Sequence, residues 1–171
     1  MKLFLTLSVL VLLFGFGCND DPIQSEIPEI SFGSASVYKN MAGKDSMVIL
    51  TINYKDGDGD LGLAADDTLP PFNFGNQGFY NLFVGYKIKK NGIWQSILIP
   101  GSADTLHFNQ RFQRLNLGDK EKAVTGSLDL RIPASPYPGI LPDTIKLISQ
   151  MMDRKLHKSN VSESTEIFLK H

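Results

Sequence analysis

Cysteine occurs once in the 171 residues, at position 18. A single thiol excludes an intrachain disulfide framework and any multi-cysteine zinc or iron–sulfur centre. Histidine is nearly as scarce, and His107, His157 and His171 are too scattered for a local metal or catalytic signature. Neither sign of charge dominates, with 17 Lys and Arg against 18 Asp and Glu. The composition therefore lacks the basic excess of a nucleic-acid binder. No apolar run reaches the roughly 20 residues that a membrane-spanning helix needs. Neither Gly-x-Ser-x-Gly nor His-Glu-x-x-His occurs. No serine or acidic partner stands at motif spacing from His107 or His157, so the expectation is a non-enzymatic protein.

The chain opens MKLFLTLSVLVLLFGFG. One basic residue, Lys2, precedes an apolar run of the length found in the core of a secretory signal. Gly15-Phe16-Gly17-Cys18 resembles the lipobox of bacterial lipoproteins. It departs from the usual pattern at Gly15, where an aliphatic residue is common, and at Phe16, which is bulkier than usual. The resemblance implies that residues 1–17 are a lipoprotein signal peptide. It also implies that Cys18 becomes the first mature residue and carries thioether-linked diacylglycerol. Each buried methylene contributes about 0.8 kcal/mol, and more than one chain gives a stable membrane anchor. Without a second cysteine the exported domain must be stabilised by its core.

Residues 18–29 then form a lipidated, acidic tether, with four acids and two prolines after Cys18. That composition keeps a chain extended and solvated. Asn19-Asp20-Asp21 resembles the acidic export signal of Bacteroidota surface lipoproteins. That resemblance implies an outer-membrane protein on the cell surface, with a periplasm-facing anchor as the alternative.

From residue 30 to 171 the apolar pattern has a period of two, the mark of half-buried strands. It is clearest over 48–54, 80–88, 128–132, 144–147 and 166–169. Asn91-Gly92 is a strong hairpin signal, because both residues tolerate positive φ. The stretches 28–35, 93–99 and 105–112 complete a count of about seven or eight strands. Residues 111–122, interrupted by Gly118, are the one helix candidate beyond the signal. The expected fold is all-β: an immunoglobulin- or fibronectin-like antiparallel β-sandwich in one domain, with a small barrel as the alternative.

The most specific internal motif is Asp56-Gly57-Asp58-Gly59-Asp60-Leu61-Gly62. Carboxylates on alternate residues, separated by glycines, suit a hard cation that takes six to eight oxygens. Asp66 and Asp67 stand close enough to add ligands. The loop is not an EF-hand, since its sixth position is Leu61 and its twelfth is Asp67. If 48–54 is the second strand and 143–152 the penultimate one, the loops 56–62 and 153–160 share one pole of the sandwich. Asp153 or Asn160 would then reach the ion. The expected ligands are Asp56, Asp58, Asp60, Asp66, Asp67 and Asp153, holding a structural Ca2+.

The DGDGDLG loop, together with the late segment DRKLHKSN, resembles a group of small Bacteroidota lipoproteins with one immunoglobulin-like domain. That resemblance implies a fold and a location and assigns no reaction. The function expected is a lipid-anchored cell-envelope binding or accessory module. Its partners would be the membrane through the anchor, and another envelope protein or a glycan. The alternatives are a structural subunit of an outer-membrane complex and a glycan-binding module using Trp94 and Tyr86. Phe72, Phe74 and Phe79 in the long loop either present a sticky surface or fold back over an open edge.

Overall fold

A computed structural model describes residues 25–115 and 122–171. The expected signal peptide, Cys18 and the expected tether as far as Gln24 lie outside the described residues. The elements in chain order are β1 (Glu29–Lys39), β2 (Asp45–Asp56), β3 (Leu82–Lys90), β4 (Ile93–Ser96), β5 (Val124–Pro133), β6 (Thr144–Met151), β7 (Ser162–Glu163) and β8 (Ile167–Phe168). No helix occurs among the described residues. The segment 111–115 is therefore not helical, which corrects that expectation as far as it can be followed; 116–121 lie outside the described residues.

The period-two pattern becomes two antiparallel sheets, ordered β1-β2-β5 and β4-β3-β6-β7, with β8 also pairing β6. In β2, Val48, Leu50, Ile52 and Tyr54 point inward, and the residues between them point out. They lie opposite Ile132, Leu130, Leu128 and Gly126 of β5. In the second sheet Val84 and Tyr86 lie opposite Ser149 and Leu147. The two inner faces meet in one core, in which Val48, Ile132, Ile145 and Leu147 are fully buried. The buried Tyr86 hydroxyl donates to the Ala134 carbonyl at 2.9 Å, a tie from one sheet to the end of the other. Burial raises the pKa of that phenol.

The stretch 105–112 does not form a regular strand. β4 covers only the Lys87–Lys90 half of β3. The other half is covered by 105–110, through Phe108 N to Val84 O and Gln110 N to Leu82 O. The buried Asn81 side chain replaces the next ladder step, bonding both the N–H and the C=O of Phe112. A side-chain amide has one donor group and one acceptor at the right spacing, so it can end a ladder that the backbone cannot continue.

One pole carries the end of β2, the start of β3 and the end of β6, and is called here the near pole. The opposite pole carries the starts of β2 and β6 and the Asn91-Gly92 turn, where Asn91 has φ +52°. Ser25 and the start of β1 lie at the near pole, where Gly57 N donates to Ser25 O at 2.8 Å.

Candidate metal centre

β2 delivers Asp56 to the near pole as a fully buried residue. Asp56 Oδ2 accepts the Asp60 backbone N–H at 3.0 Å, closing the acidic motif into a tight turn. Gly59 makes that turn at φ +73°, a conformation that side chains with a Cβ disfavour. Gly62 follows at φ +92°, and a Cβ there would come within 2.5 Å of the Arg114 backbone. Leu61 then plugs the end of the core, and Leu63 is buried behind it. That explains the leucine at the sixth position of the motif: it anchors the loop.

Asp153, directly after β6, arrives from the other sheet. Asp56, Asp60 and Asp153 each place a carboxylate oxygen within 4.8 Å of the other two. Asp153 itself is held in place by His157: Oδ1 accepts the His157 N–H at 2.7 Å, and Oδ2 lies 2.9 Å from Nδ1. A carboxylate has about four lone-pair sites, so both oxygens keep capacity for a cation. Sequence reasoning missed His157; its only signal was its position four residues after Asp153.

The electrostatics of the cluster are one-sided. Oδ1 of Asp56, of Asp58 and of Asp60 is buried without a hydrogen-bond partner among the described residues. Burial, then the neighbouring carboxylates Asp58 and Asp60, push the Asp56 pKa up to about 7. Burial, then Asp153 and Asp58, push Asp60 up to about 6. Burial also raises Asp153, against its bonds from His157. Asp45, another buried acid, gives the contrast. It accepts from Lys39 Nζ and the Lys170 N–H, and its pKa is lowered mainly by Lys39. The near-pole acids combine stronger desolvation with oxygens that lack such partners. Three oxygen donors converging in this way can hold a divalent cation.

The remaining expected ligands lie outside that cluster of three. Asp58 turns Oδ2 to Lys155 at 2.7 Å. Burial raises its pKa, but Lys155 and further hydrogen bonds outweigh this, and the net shift is downward. Asp67 caps its own loop through the Ala64 N–H and pairs with Arg154, which lowers its pKa. Asp66 is exposed to solvent. Asn160 instead clasps β1, accepting from Ile30 N at 2.9 Å and donating to Ile30 O at 2.8 Å.

The long loop folds back over the pole and is fixed by two arginines. Arg111 donates to the carbonyls of Asp67, Phe72 and Phe79, and its guanidinium sits 5.2 Å above the Phe79 ring. Arg154 stacks on Phe72 in the same way. Phe72 and Phe79 are half-buried, but Phe74 remains outside. Arg111→Met should therefore lower stability by about 2 kcal/mol, read as an earlier urea midpoint, with faster proteolysis within 62–79. Arg111→Lys should recover little of it, because an ammonium lacks the planar fork.

Trp94, weighed as a sugar platform, has the ammonium groups of Lys89 and Lys146 over its ring at 5.4 and 5.0 Å. Tyr86 is buried in the core and offers no surface for stacking. That removes the pair as a joint platform.

No family model, curated protein or solved structure matches this chain. The near-pole geometry therefore stands on its own residues.

Proposed function

We propose that the protein is a lipid-anchored, non-enzymatic binding or accessory module of the cell envelope, stabilised by one calcium ion at the near pole. The carrying observation is the set of buried carboxylate oxygens without partners, where Asp56 and Asp60 meet Asp153. Calcium takes about six to eight oxygens in flexible geometry, whereas magnesium demands a near-ideal octahedron. Three carboxylate oxygens gathered within 4.8 Å of one another are close enough to share one such ion. The donors are all oxygen, which favours a hard cation over zinc or copper. Buried in this way, the ion would brace the loop rather than contact a substrate.

The strand orders β1-β2-β5 and β4-β3-β6-β7 are consistent with the immunoglobulin-like sandwich that the resemblance implies. The anchor reading rests on residues 1–18 and on the Bacteroidota-like Asn19-Asp20-Asp21 signal, which point to the outer membrane and the cell surface. The alternative of a structural subunit draws support from β1, an edge strand of 11 residues open to pairing on one side.

Calcium binding is tested by titration of the purified chain with calcium and with magnesium. Calcium should bind at one site and magnesium more weakly; no heat or shift with either ion would sink the metal reading. Cys18→Ser should release the protein from membranes into the soluble fraction, and continued retention would count against the lipid anchor. Protease shaving of intact cells separates the surface from the periplasmic face. Partners co-purified with the intact lipoprotein from native membranes would separate a binding module from an assembly subunit.

A further inference from the structure

We infer that the near pole is a membrane-contacting face, with Leu69, Phe74 and Tyr80 seated in the interfacial layer of the same bilayer that holds Cys18. The inference rests on the lipid-anchor reading above. Three observations carry it.

The first is reach. Ser25 is fastened to the near pole by Gly57 N, and the next residues are held there by the Lys155–Glu26 pair and by Asn160 on Ile30. Cys18 stands seven residues before Ser25, and seven residues span at most about 25 Å. The domain is longer: β2 alone has 12 residues, or about 40 Å of strand. A lipid on Cys18 therefore keeps the near pole toward the bilayer and the opposite pole away from it. Exposed apolar side chains at that far pole, such as Tyr38 and Met41, lie a strand length away.

The second is what the near pole exposes. Leu69 is 75% exposed and Phe74 81% exposed, and Tyr80 is also on the surface. Phe74, Phe79 and Tyr80 form an edge-to-face chain, with centroids 5.2 and 4.7 Å apart. Leu, Phe and Tyr are side chains that partition into the interfacial region. The third is rigidity. Arg111 and Arg154 pin the loop through Asp67, Phe72 and Phe79, so these apolar groups are presented outward with little ordering left to do. Asp66, exposed in the same loop as Leu69 and Phe74, disfavours anionic headgroups and points to zwitterionic lipid.

The test uses the full lipidated chain in phosphatidylcholine vesicles whose acyl chains are brominated. Trp94 is the only tryptophan and lies beside the Asn91-Gly92 turn at the far pole, so the native protein supplies its own reference. Phe74→Trp adds a probe at a surface position that tolerates the change. The emission added by Phe74→Trp should be blue-shifted and quenched several-fold, and that of Trp94 should be unaffected. Equal, unquenched emission from both sites in vesicle-bound protein would overturn the inference and leave the anchor intact. Quenching of Trp94 as well would also overturn it, because no one pole would then face the lipid. A chain that does not stay with the vesicles would overturn the anchor reading, and the inference with it.

Discussion

Calcium at about a hundredfold excess over its dissociation constant should raise the melting temperature by about 5–10 °C near neutral pH, and chelator should reverse the shift. The size follows from linkage: an ion that binds only the folded state at that excess adds about 2.7 kcal/mol, and for a chain of this length each kcal/mol moves the midpoint by about 2–4 °C. The direction follows from the carboxylates. Asp56, raised to about 7, and Asp60, raised to about 6, are harder to ionise in the folded protein than in the unfolded chain, where aspartate titrates near ~3.9. The metal-free fold therefore binds protons more tightly than the unfolded chain does. Their contribution to its stability is fully present below about pH 4 and is lost as the pH rises through 6 to 7. Calcium competes with the same protons, so its affinity and its stabilising increment grow over that interval. Melting curves with calcium and with chelator should nearly coincide near pH 5 and diverge by pH 8. Coincidence at pH 8 in millimolar calcium would refute the site.

Asp56→Asn should change stability in opposite directions in the two conditions. The amide keeps the shape of the side chain and can still accept the Asp60 N–H. It removes one buried negative charge and supplies a donor toward Asp60 and Asp153. In chelator at pH 8 the variant should be more stable than the native chain by about 2–4 kcal/mol, the cost of holding Asp56 ionised there. That advantage should shrink toward zero near pH 4, where native Asp56 is already protonated. In calcium the variant should lose the increment, because a neutral amide oxygen is a weaker ligand and the site's charge is reduced. Chemical denaturation in four conditions, with and without calcium at pH 5 and pH 8, tests both signs. A variant less stable than native in chelator at pH 8 would mean that Asp56 serves a structural hydrogen bond rather than an ion.

These effects depend on contrasts that composition conceals. The acids look balanced against the bases over the whole chain, yet the near pole gathers Asp56, Asp58, Asp60 and Asp153 with few cations among them. Lys155 serves Asp58, and Arg154 serves Asp67. Asp56, Asp58 and Asp60 each keep one buried oxygen that no described residue satisfies.

Much of the fold was legible from local pattern. The alternation over 48–54 gave β2, the Asn91-Gly92 pair gave the β3–β4 turn, and the later alternations gave β5, β6 and β8. Each is a local steric or hydrophobic preference, readable within a few residues. The short β7 and the irregular path of 105–112 were not legible in the same way. They depend on which stretch of β3 and β6 is left open by other strands, and that is a property of the assembled sheets. The meeting of the acidic loop with Asp153 followed from counting strands, since loops after alternate strands of a sandwich share a pole. The sharing-out of the six expected ligands did not. Arg154 takes Asp67, Lys155 takes one oxygen of Asp58, and Asn160, which was expected near the ion, bonds the backbone of Ile30 instead.

What the sequence determined by itself is the alternation that makes two sheets, the glycines that let the acidic loop turn, and the types of donor atom available. Those depend on neighbours in the chain. Which acids remain unpartnered, and which pole the stem and the aromatic loop share, was decided only by the tertiary structure. Arg154 and Lys155 stand 87 and 97 residues from the acids they pair with, and only packing brings them within bonding distance.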